Sequence, residues 1–325
     1  MSILIECCFC GKKVNRYRSQ INNNNFCSYD CFQSYRKSRT LNHDFFEKID
    51  NQMNAYWLGF LYADGNISNK NRKQKSINLT LSRRDKKHVE LFASIFGSNV
   101  RDYSRIKNEK ECLSSVCSVT SEKLWNDLNS KGLKPNKTYI NEDHIIDYVP
   151  RNLINHFIRG FFDGDGGISI NIKTGGSVFH MVGLYNFLER LRVILQENCL
   201  LSDGNIFSKQ CSNDIHMLEW GGALQLRAIS NFLYRDAEIF LERKKNRFEK
   251  VINKYENFVK KRGCSFRGVY KSWNKFYSSI YYDKKSHYLG AYDNEIDAAR
   301  AYDAEIIKLN KPRYKLNFLN EKNNE

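Results

Sequence analysis

The chain is short of acid. Its 325 residues carry 36 Asp and Glu against 52 Lys and Arg, a formal net charge of +16, and the sequence pI is about 9.3. Such a surplus favours a polyanionic partner, and binding through it weakens steeply with salt as counterions are released. Also missing is any apolar run long enough to span a bilayer. No secretory leader is legible, since Met1-Ser-Ile-Leu-Ile runs at once into Glu6 and Cys7. These absences argue against the membrane and secreted classes. They lead to the expectation of an intracellular protein, in cytoplasm or nucleoid, an organelle or a virus-infected host, with its ten cysteines reduced. With 41% hydrophobic and 14% aromatic residues there is ample material for packed cores, and this length suggests two or three domains.

Two segments say nearly the same thing: Trp57-Leu-Gly-Phe-Leu-Tyr-Ala-Asp64-Gly65 and Ile158-Arg-Gly-Phe-Phe-Asp-Gly-Asp165-Gly166. Each reads as an apolar helix ending in a carboxylate and a glycine. Around the second copy, Pro150 suits a helix start, and Leu153, Ile154, Phe157, Ile158, Phe161 and Phe162 leave little solvent-facing surface. Small residues recur four apart, Gly59 with Ala63 and Gly160 with Gly164, so two such faces can pack with their backbones unusually close. Gly65 and Gly166 are expected to take the left-handed conformation that stops a helix. Asp64 and Asp165 then fall in last turns, where the helix dipole disfavours negative charge. Two carboxylates brought together there call for a cation, and a divalent metal with hard oxygen ligands and a phosphate answers that need.

This repeated motif resembles that of the LAGLIDADG homing endonucleases, in the arrangement of single-chain members that build a pseudo-dimer from two repeats. The resemblance implies an α+β core in which paired helices are flanked by curved antiparallel sheets forming a DNA-binding saddle. It makes Asp64 and Asp165 the catalytic, metal-binding acids, with Mg2+ as the ion (two or more) and the backbone carbonyls of Ala63 and Gly164 completing the inner shell. The first acid of the family pattern is Tyr62 in copy one and Asp163 in copy two; that position is not the family's metal ligand. A lysine near each acid can assist the attacking water or the developing phosphorane charge, which points to Lys137 in Leu133-Lys-Pro-Asn-Lys-Thr138 and to Lys244 in Leu241-Glu-Arg-Lys244. Cleavage of both strands with short 3′ overhangs follows from the same resemblance, on a long, near-asymmetric duplex target bound by a monomer. Relatives of this fold without nuclease activity act as RNA maturases or transcriptional regulators, so a catalytically inactive DNA-binding regulator or a maturase is the alternative. An intein is not expected, since no splicing Cys or Ser opens the chain and no His-Asn closes it.

The intervening sequence supports a duplication. After Asp64 come a period-two strand pattern from Ser76 to Ser82, a helix through Val89, Leu91, Phe92, Ile95 and Phe96, a strand from Cys112 to Val119, and a helix through Leu124 and Leu128. After Asp165 the order recurs. A strand spans Gly167 to Ile170, a strand and helix run through Val178 to Leu195, and strands near Ile206 and from His216 to Trp220 precede a helix through Leu226, Ile229 and Leu233. A basic helical connector with Phe248, Val251, Ile252 and Tyr255 on one face follows.

At the other end of the chain, Cys7-Cys8-Phe9-Cys10 and Cys27-Ser-Tyr-Asp-Cys31 supply a Cys-x2-Cys and a Cys-x3-Cys pair. Thiolates at that spacing can close a tetrahedral Zn2+ site, with Cys7, Cys10, Cys27 and Cys31 as ligands and Cys8 as a competitor for a neighbour's place; buried free thiols are the alternative. Gly11-Lys-Lys resembles a zinc-knuckle turn, and Phe-Cys-Ser…Cys before a helix resembles a treble-clef or FCS-type finger. Cys112, Cys117, Cys199, Cys211 and Cys264 are too scattered for a metal site and suit packing.

The C-terminal stretch reads as three aromatic-rich strands and one amphipathic helix. Its lysines and arginines cluster in 260–290, while the helix holds most of the acids. The ordered set Arg267-Gly-Val, Trp273, Tyr288-Leu-Gly-Ala-Tyr, Ala298-Ala-Arg-Ala-Tyr-Asp303 and Leu316-Asn-Phe318 resembles an AP2 DNA-binding domain. That resemblance implies DNA contacts by Arg267, Tyr270, Lys271, Trp273, Lys275 and Tyr288. It departs from the plant-type pattern at Ser279 and Tyr281, where Glu and Arg are usual. The expected organisation is therefore a zinc module over 1–40, an endonuclease core over 41–258 with repeats at about 50–140 and 148–250, and an AP2-like domain over 259–325. The expected activity is a site-specific, metal-dependent endodeoxyribonuclease acting on double-stranded DNA.

Overall fold

A computed structural model describes residues 2–21, 25–38, 41–70, 74–107, 110–135, 143–171, 176–199, 201–209, 212–282, 284–309 and 316–318. The chain begins with β1 (Ser2–Glu6), β2 (Lys13–Tyr17), α1 (Tyr29–Ser38) and α2 (Gln52–Asp64). There follow β3 (Gly65–Lys70), β4 (Gln74–Ser82), α3 (Lys86–Ile95), β5 (Val100–Lys107), β6 (Lys110–Thr120) and α4 (Glu122–Ser130). The second half repeats the plan with α5 (Ile154–Asp165), β7 (Gly166–Ile170), β8 (Ser177–Leu184), α6 (Tyr185–Cys199), β9 (Asn205–Lys209), β10 (Ser212–Gly221) and α7 (Ala223–Tyr234). The long helix α8 (Glu242–Arg262) leads to β11 (Val269–Ser272), β12 (Lys275–Tyr282), β13 (Lys285–Tyr292) and α9 (Glu295–Lys308). The fold class is α+β, and every strand pairing is antiparallel.

The chain divides into two compact units. One comprises residues 1–48 and 64–137, the other 49–63 and 138–325, so α2 belongs to the second unit up to Ala63. In the first unit the sheet order is β3-β4-β6-β5; in the second it is β7-β8-β10-β9. Each sheet starts with the glycine that follows a motif acid, Gly65 paired with Leu79 and Gly166 with Met181. The same order of strands after the same helix is what a duplicated sequence requires. In the first unit α3 and α4 cover one face of the sheet, and Phe45, Phe46, Phe92 and Phe96 form an aromatic cluster beneath it. In the second, α6 and α7 cover the sheet over Phe179 and Trp220, while α8 packs along α7.

Helix α2 is buried on all sides, with ten consecutive side chains from Asn54 to Ala63 out of solvent. The reason is its meeting with α5 in the second unit. A methyl group on Gly59 would come within 2.0 Å of the Phe157 carbonyl oxygen, and one on Gly160 within 2.0 Å of the Tyr56 carbonyl oxygen. The two backbones therefore touch at these glycines, as the small-residue spacing predicts. The helix stop differs from expectation. Gly166 has φ −107° and ψ 174°, an extended conformation open to any residue, so α5 ends by running straight into β7. Glycine is needed there for space, since a Cβ would lie 2.3 Å from the Phe162 ring. Pro150 caps a short 3-10 turn (Arg151–Leu153) that feeds α5.

Candidate functional site

Asp64 and Asp165 are the last residues of α2 and α5, each five residues beyond the glycine at which its helix is crossed. Both are exposed although the helices carrying them are buried. A carboxylate in this position faces the negative end of its own helix, and a cation relieves that conflict. Their oxygens are the hard donors that a divalent ion prefers, so the donor chemistry fits such an ion. Ala63, at 5% exposure, lies one residue before Asp64. Gly164 occupies the corresponding place in the second copy.

Lys244 lies in the first turn of α8, is 5% exposed, and reaches the end of α5. Its Nζ donates to the carbonyl oxygens of Phe162 (2.7 Å), Gly164 (3.0 Å) and Gly166 (2.8 Å). An ammonium has three N–H groups, and three carbonyls at a helix C-terminus accept them. The same Gly164 oxygen that the resemblance offers to a metal thus already accepts from Lys244. Arg247, one turn on, donates to the Ile168 carbonyl at 2.7 Å and ties α8 to β7. Lys137 lies outside the described residues.

The sequence reading overlooked a polar cluster buried behind this helix end. Asp163, 1% exposed, accepts from the Tyr56 hydroxyl and from the Leu241 backbone N–H, both at 2.8 Å. Burial raises its carboxyl to a pKa of about 6 despite the opposing pull of the Lys244 ammonium, these two donors and Arg159. Arg159 is fully buried; it donates to the carbonyls of Ile239 (2.8 Å) and Leu233 (2.7 Å) and to Nδ1 of His156 (2.8 Å). His156, 7% exposed, is thereby held neutral, its pKa lowered to about 4 by burial and then by the Arg159 charge. The signal was present: His156, Arg159 and Asp163 recur three and four apart, on one side of a helix that also carries Phe157, Ile158, Phe161 and Phe162. The matching position in the first copy is apolar in character, Tyr62 packing its ring against Phe161 and Phe187.

The N-terminal cysteines converge. The sulfurs of Cys7, Cys10, Cys27 and Cys31 all lie within 4.8 Å of one another, with Cys10 to Cys27 at 3.5 Å and Cys27 to Cys31 at 3.3 Å. Four thiolates around zinc would stand about 3.8 Å apart, given Zn–S bonds of roughly 2.3 Å. The first pair sits on a turn closed by hydrogen bonds from Cys7 N–H to the Lys12 carbonyl and from Gly11 N–H to the Cys7 carbonyl, with Gly11 left-handed at φ +74°. Backbone N–H groups, Cys10's foremost, bring the Cys7 thiol down to about 6. The second pair opens α1, where Cys31 N–H donates to the Ser28 hydroxyl at 3.1 Å. Cys8 is outside the set, its sulfur accepting from Asn25 N–H at 3.3 Å. Among the described residues this is the only group of three or more such side chains able to share an ion. Of the scattered cysteines, Cys117, Cys199 and Cys264 are buried, as packing requires, and Cys211 lies outside the described residues.

At the C-terminus the order β11-β12-β13 forms a sheet with α9 packed on one face. Val269, Ala298, Ala299, Ile280, Tyr302 and Ile306 make its core. The six candidate contacts do not share a face. Tyr270 and Tyr288 are exposed on the side away from the helix. Lys271 pairs with Phe276, whose ring packs towards the helix, and its Nζ lies 5.4 Å from that ring. Lys275 forms an ion pair with Asp293. Trp273 is 94% exposed at the β11–β12 turn, with φ +54°. Arg267, exposed before β11, is fixed through its backbone by Asn317, whose side chain accepts from its N–H (2.8 Å) and donates to its carbonyl (3.0 Å).

No protein-family profile matches the chain, and no curated protein does. Solved structures similar to it include the homing endonuclease I-WcaI bound to its DNA recognition sequence, at a TM-score of 0.48 and 14% identity, covering 70% of this chain and 94% of that one. They also include the LAGLIDADG meganuclease I-AabMI bound to uncleaved DNA, at 0.42 and 12%, covering 65% and 93%. A third is the LAGLIDADG homing endonuclease I-GzeII in complex with its DNA target, at 0.42 and 16%, covering 66% and 92%. Each TM-score is below 0.5, a likeness too distant to assign a residue or an activity to this chain.

Proposed function

We propose that the protein is a site-specific DNA endonuclease in which Asp64 and Asp165 each hold a divalent ion. The observation that carries this reading is the repeated construction itself: a buried helix, crossed at a glycine, that delivers one exposed carboxylate and then enters a four-stranded antiparallel sheet of identical order. A structural helix pair has no need to end twice in a solvent-facing acid at the end its own dipole makes unfavourable. When bound, the ion supplies Lewis-acid stabilisation of the charge that builds on a phosphodiester during hydrolysis. The chain's own part is to hold the two carboxylates on rigid supports, so that little reorganisation is required as reaction proceeds. In the second copy that rigidity comes from Lys244, which pins the carbonyls on both sides of Asp165. Lys244 is thus a positioning residue in this reading, and Mg2+ is the expected ion.

The duplex is the proposed substrate because the chain is strongly basic and the two sheets offer extended surfaces. The module formed by residues 1–40, folded around zinc at Cys7, Cys10, Cys27 and Cys31, and the module from 259 onward add contacts to the polynucleotide. Mg2+-dependent cleavage of a randomised duplex library tests the reading directly. Discrete double-strand cuts by the natural protein are expected, with Asp64→Asn and Asp165→Asn each slowing them by roughly 100-fold or more. Selective binding without cutting, unchanged by either substitution, would replace this reading with the DNA-binding regulator or the maturase.

A further inference from the structure

We infer that the outer face of the C-terminal sheet is a stacking platform for the unpaired bases of a nucleic-acid strand. Directly opposed residues of neighbouring strands share a face of the sheet. Val269, Ser278 and Ile280 are buried towards α9, which leaves Tyr270, Tyr277, Ser279, Tyr281, Ser286 and Tyr288 on the other side. Tyr270 and Tyr277 are a cross-strand pair with rings nearly parallel, 15° apart at 5.3 Å, and Tyr288 follows at 6.4 Å from Tyr277. Tyr288 reaches this side because the register shifts between Ser278 and Ser279, an irregularity that re-aims one side chain. Exposure is high for a set of large rings: 42% for Tyr270, 61% for Tyr288 and 72% for Tyr281.

The chemistry of that face selects its occupant. Base pairs are read in the major groove by side chains that make paired hydrogen bonds to base edges, above all Arg, Lys, Asn and Gln. The three strands contain no Arg, Asn or Gln. Of their three lysines, Lys271 pairs with Phe276 and Lys285 with Tyr282, both rings turned towards the helix, and Lys275 is held by Asp293. What remains outward is phenol and hydroxyl, with Lys275 on the tyrosine side only at the turn end, in its ion pair with Asp293. Aromatic faces hold unpaired bases irrespective of sequence, and hydroxyls serve sugar and phosphate. The strands contain no acid either, so the face carries no charge that repels a strand's phosphates. Trp273, almost wholly exposed at the turn beside Tyr270, extends the platform with a ring held out by a left-handed backbone that its residue type disfavours.

The test measures binding of the full-length protein with magnesium withheld. The probes are a 15-mer oligothymidine, a 15-mer of abasic deoxyribose phosphate, a 15-base-pair duplex and a 15-mer oligouridine. Oligothymidine is expected to bind at least ~10-fold more tightly than the abasic strand. Changing Tyr270 and Tyr288 together to Leu should remove that advantage, while changing both to Phe should keep it and show that the face still folds. Duplex affinity should change little in either variant. Equally tight or tighter binding of oligouridine with the same tyrosine dependence also upholds the platform and makes RNA the source of the strand. The inference is overturned if the abasic strand binds as well as oligothymidine. It is equally overturned if the Leu variant weakens the duplex as much as the single strand, which would restore a groove-reading sheet, or weakens neither. Cleavage plays no part in these readouts, so failure here leaves the endonuclease reading standing, and loss of that reading leaves this one.

Discussion

A methyl group is the whole difference between glycine and alanine, and at residues 59 and 160 it has nowhere to go. Each added Cβ would meet a backbone oxygen at 2.0 Å, and a backbone cannot swing aside as a side chain does. Gly59→Ala or Gly160→Ala must push α2 and α5 apart, and about 3 kcal/mol or more of stability should be lost in denaturant unfolding. Gly183→Ala is the control, because its nearest neighbour would be the Phe161 ring at 3.4 Å, and a change within about 1 kcal/mol is expected. His156 gives a residue-scale pH dependence. Its folded pKa, about 4, is below the ordinary 6.5, so the fold favours neutral imidazole. The resulting stability is fully present above pH 6.5 and is lost as pH falls towards 4. His156→Gln can still accept from Arg159 but does not titrate. Between pH 7.5 and 4.5 the natural protein should therefore lose about 2 kcal/mol more than this variant, measured by unfolding at each pH.

At the scale of elements, α5 and α8 cap each other. The Asp163 carboxylate accepts from Leu241, at the N-terminus of α8, and Lys244 donates to the carbonyls that end α5. Anion at an N-terminus and cation at a C-terminus are the arrangements that helix dipoles favour, here with both partners buried. Lys244→Met removes the three donors that satisfy one buried and two part-buried carbonyls and should cost about 2–4 kcal/mol. Amide exchange should quicken at residues 163–167 before it does elsewhere in α5, whereas a general loss of protection would show that Lys244 supports the whole unit. Beyond α8, the C-terminal sheet shows how far a strand pattern can mislead about contacts. Alternation places Lys271 and Tyr270 on opposite faces, so both cannot address one ligand surface.

For the whole molecule, the expected consequences concern metal and salt. Substituting Cys27→Ser, or withdrawing the proposed zinc with a chelator, should unfold the segment around α1, where Cys7 is the one buried hydrophobic side chain among the described residues of 2–38. The two four-stranded sheets should persist, so far-UV circular dichroism should fall only slightly while exchange protection vanishes over residues 2–38. Simultaneous collapse of the sheets would show that the module is integral to the first unit. The net charge of +16 should appear in duplex binding as a steep dependence on salt, with log affinity falling against log salt at a slope of about −5 or steeper. A slope near −1 would mean that the basic residues do not face the duplex.

The two motif helices, the strands β4, β6, β8 and β10, the cysteine spacing and the three-strand-plus-helix end were all legible in the sequence. Each is a local property: a period, a small-residue step, or two thiols one turn apart. The edge strands β3 and β5 were not, because β5 is exposed along both faces and so leaves no burial pattern to read. Nor could any periodicity say that Lys244 meets the end of a helix some 80 residues earlier, that Gly166 is small to clear Phe162 rather than to turn left, or that Asp163 is buried while Asp165 is exposed. Composition and repetition determined which elements form and which acids end them. Only tertiary structure decided which donors reach which oxygens, because those partners are chosen by packing between segments far apart in the chain.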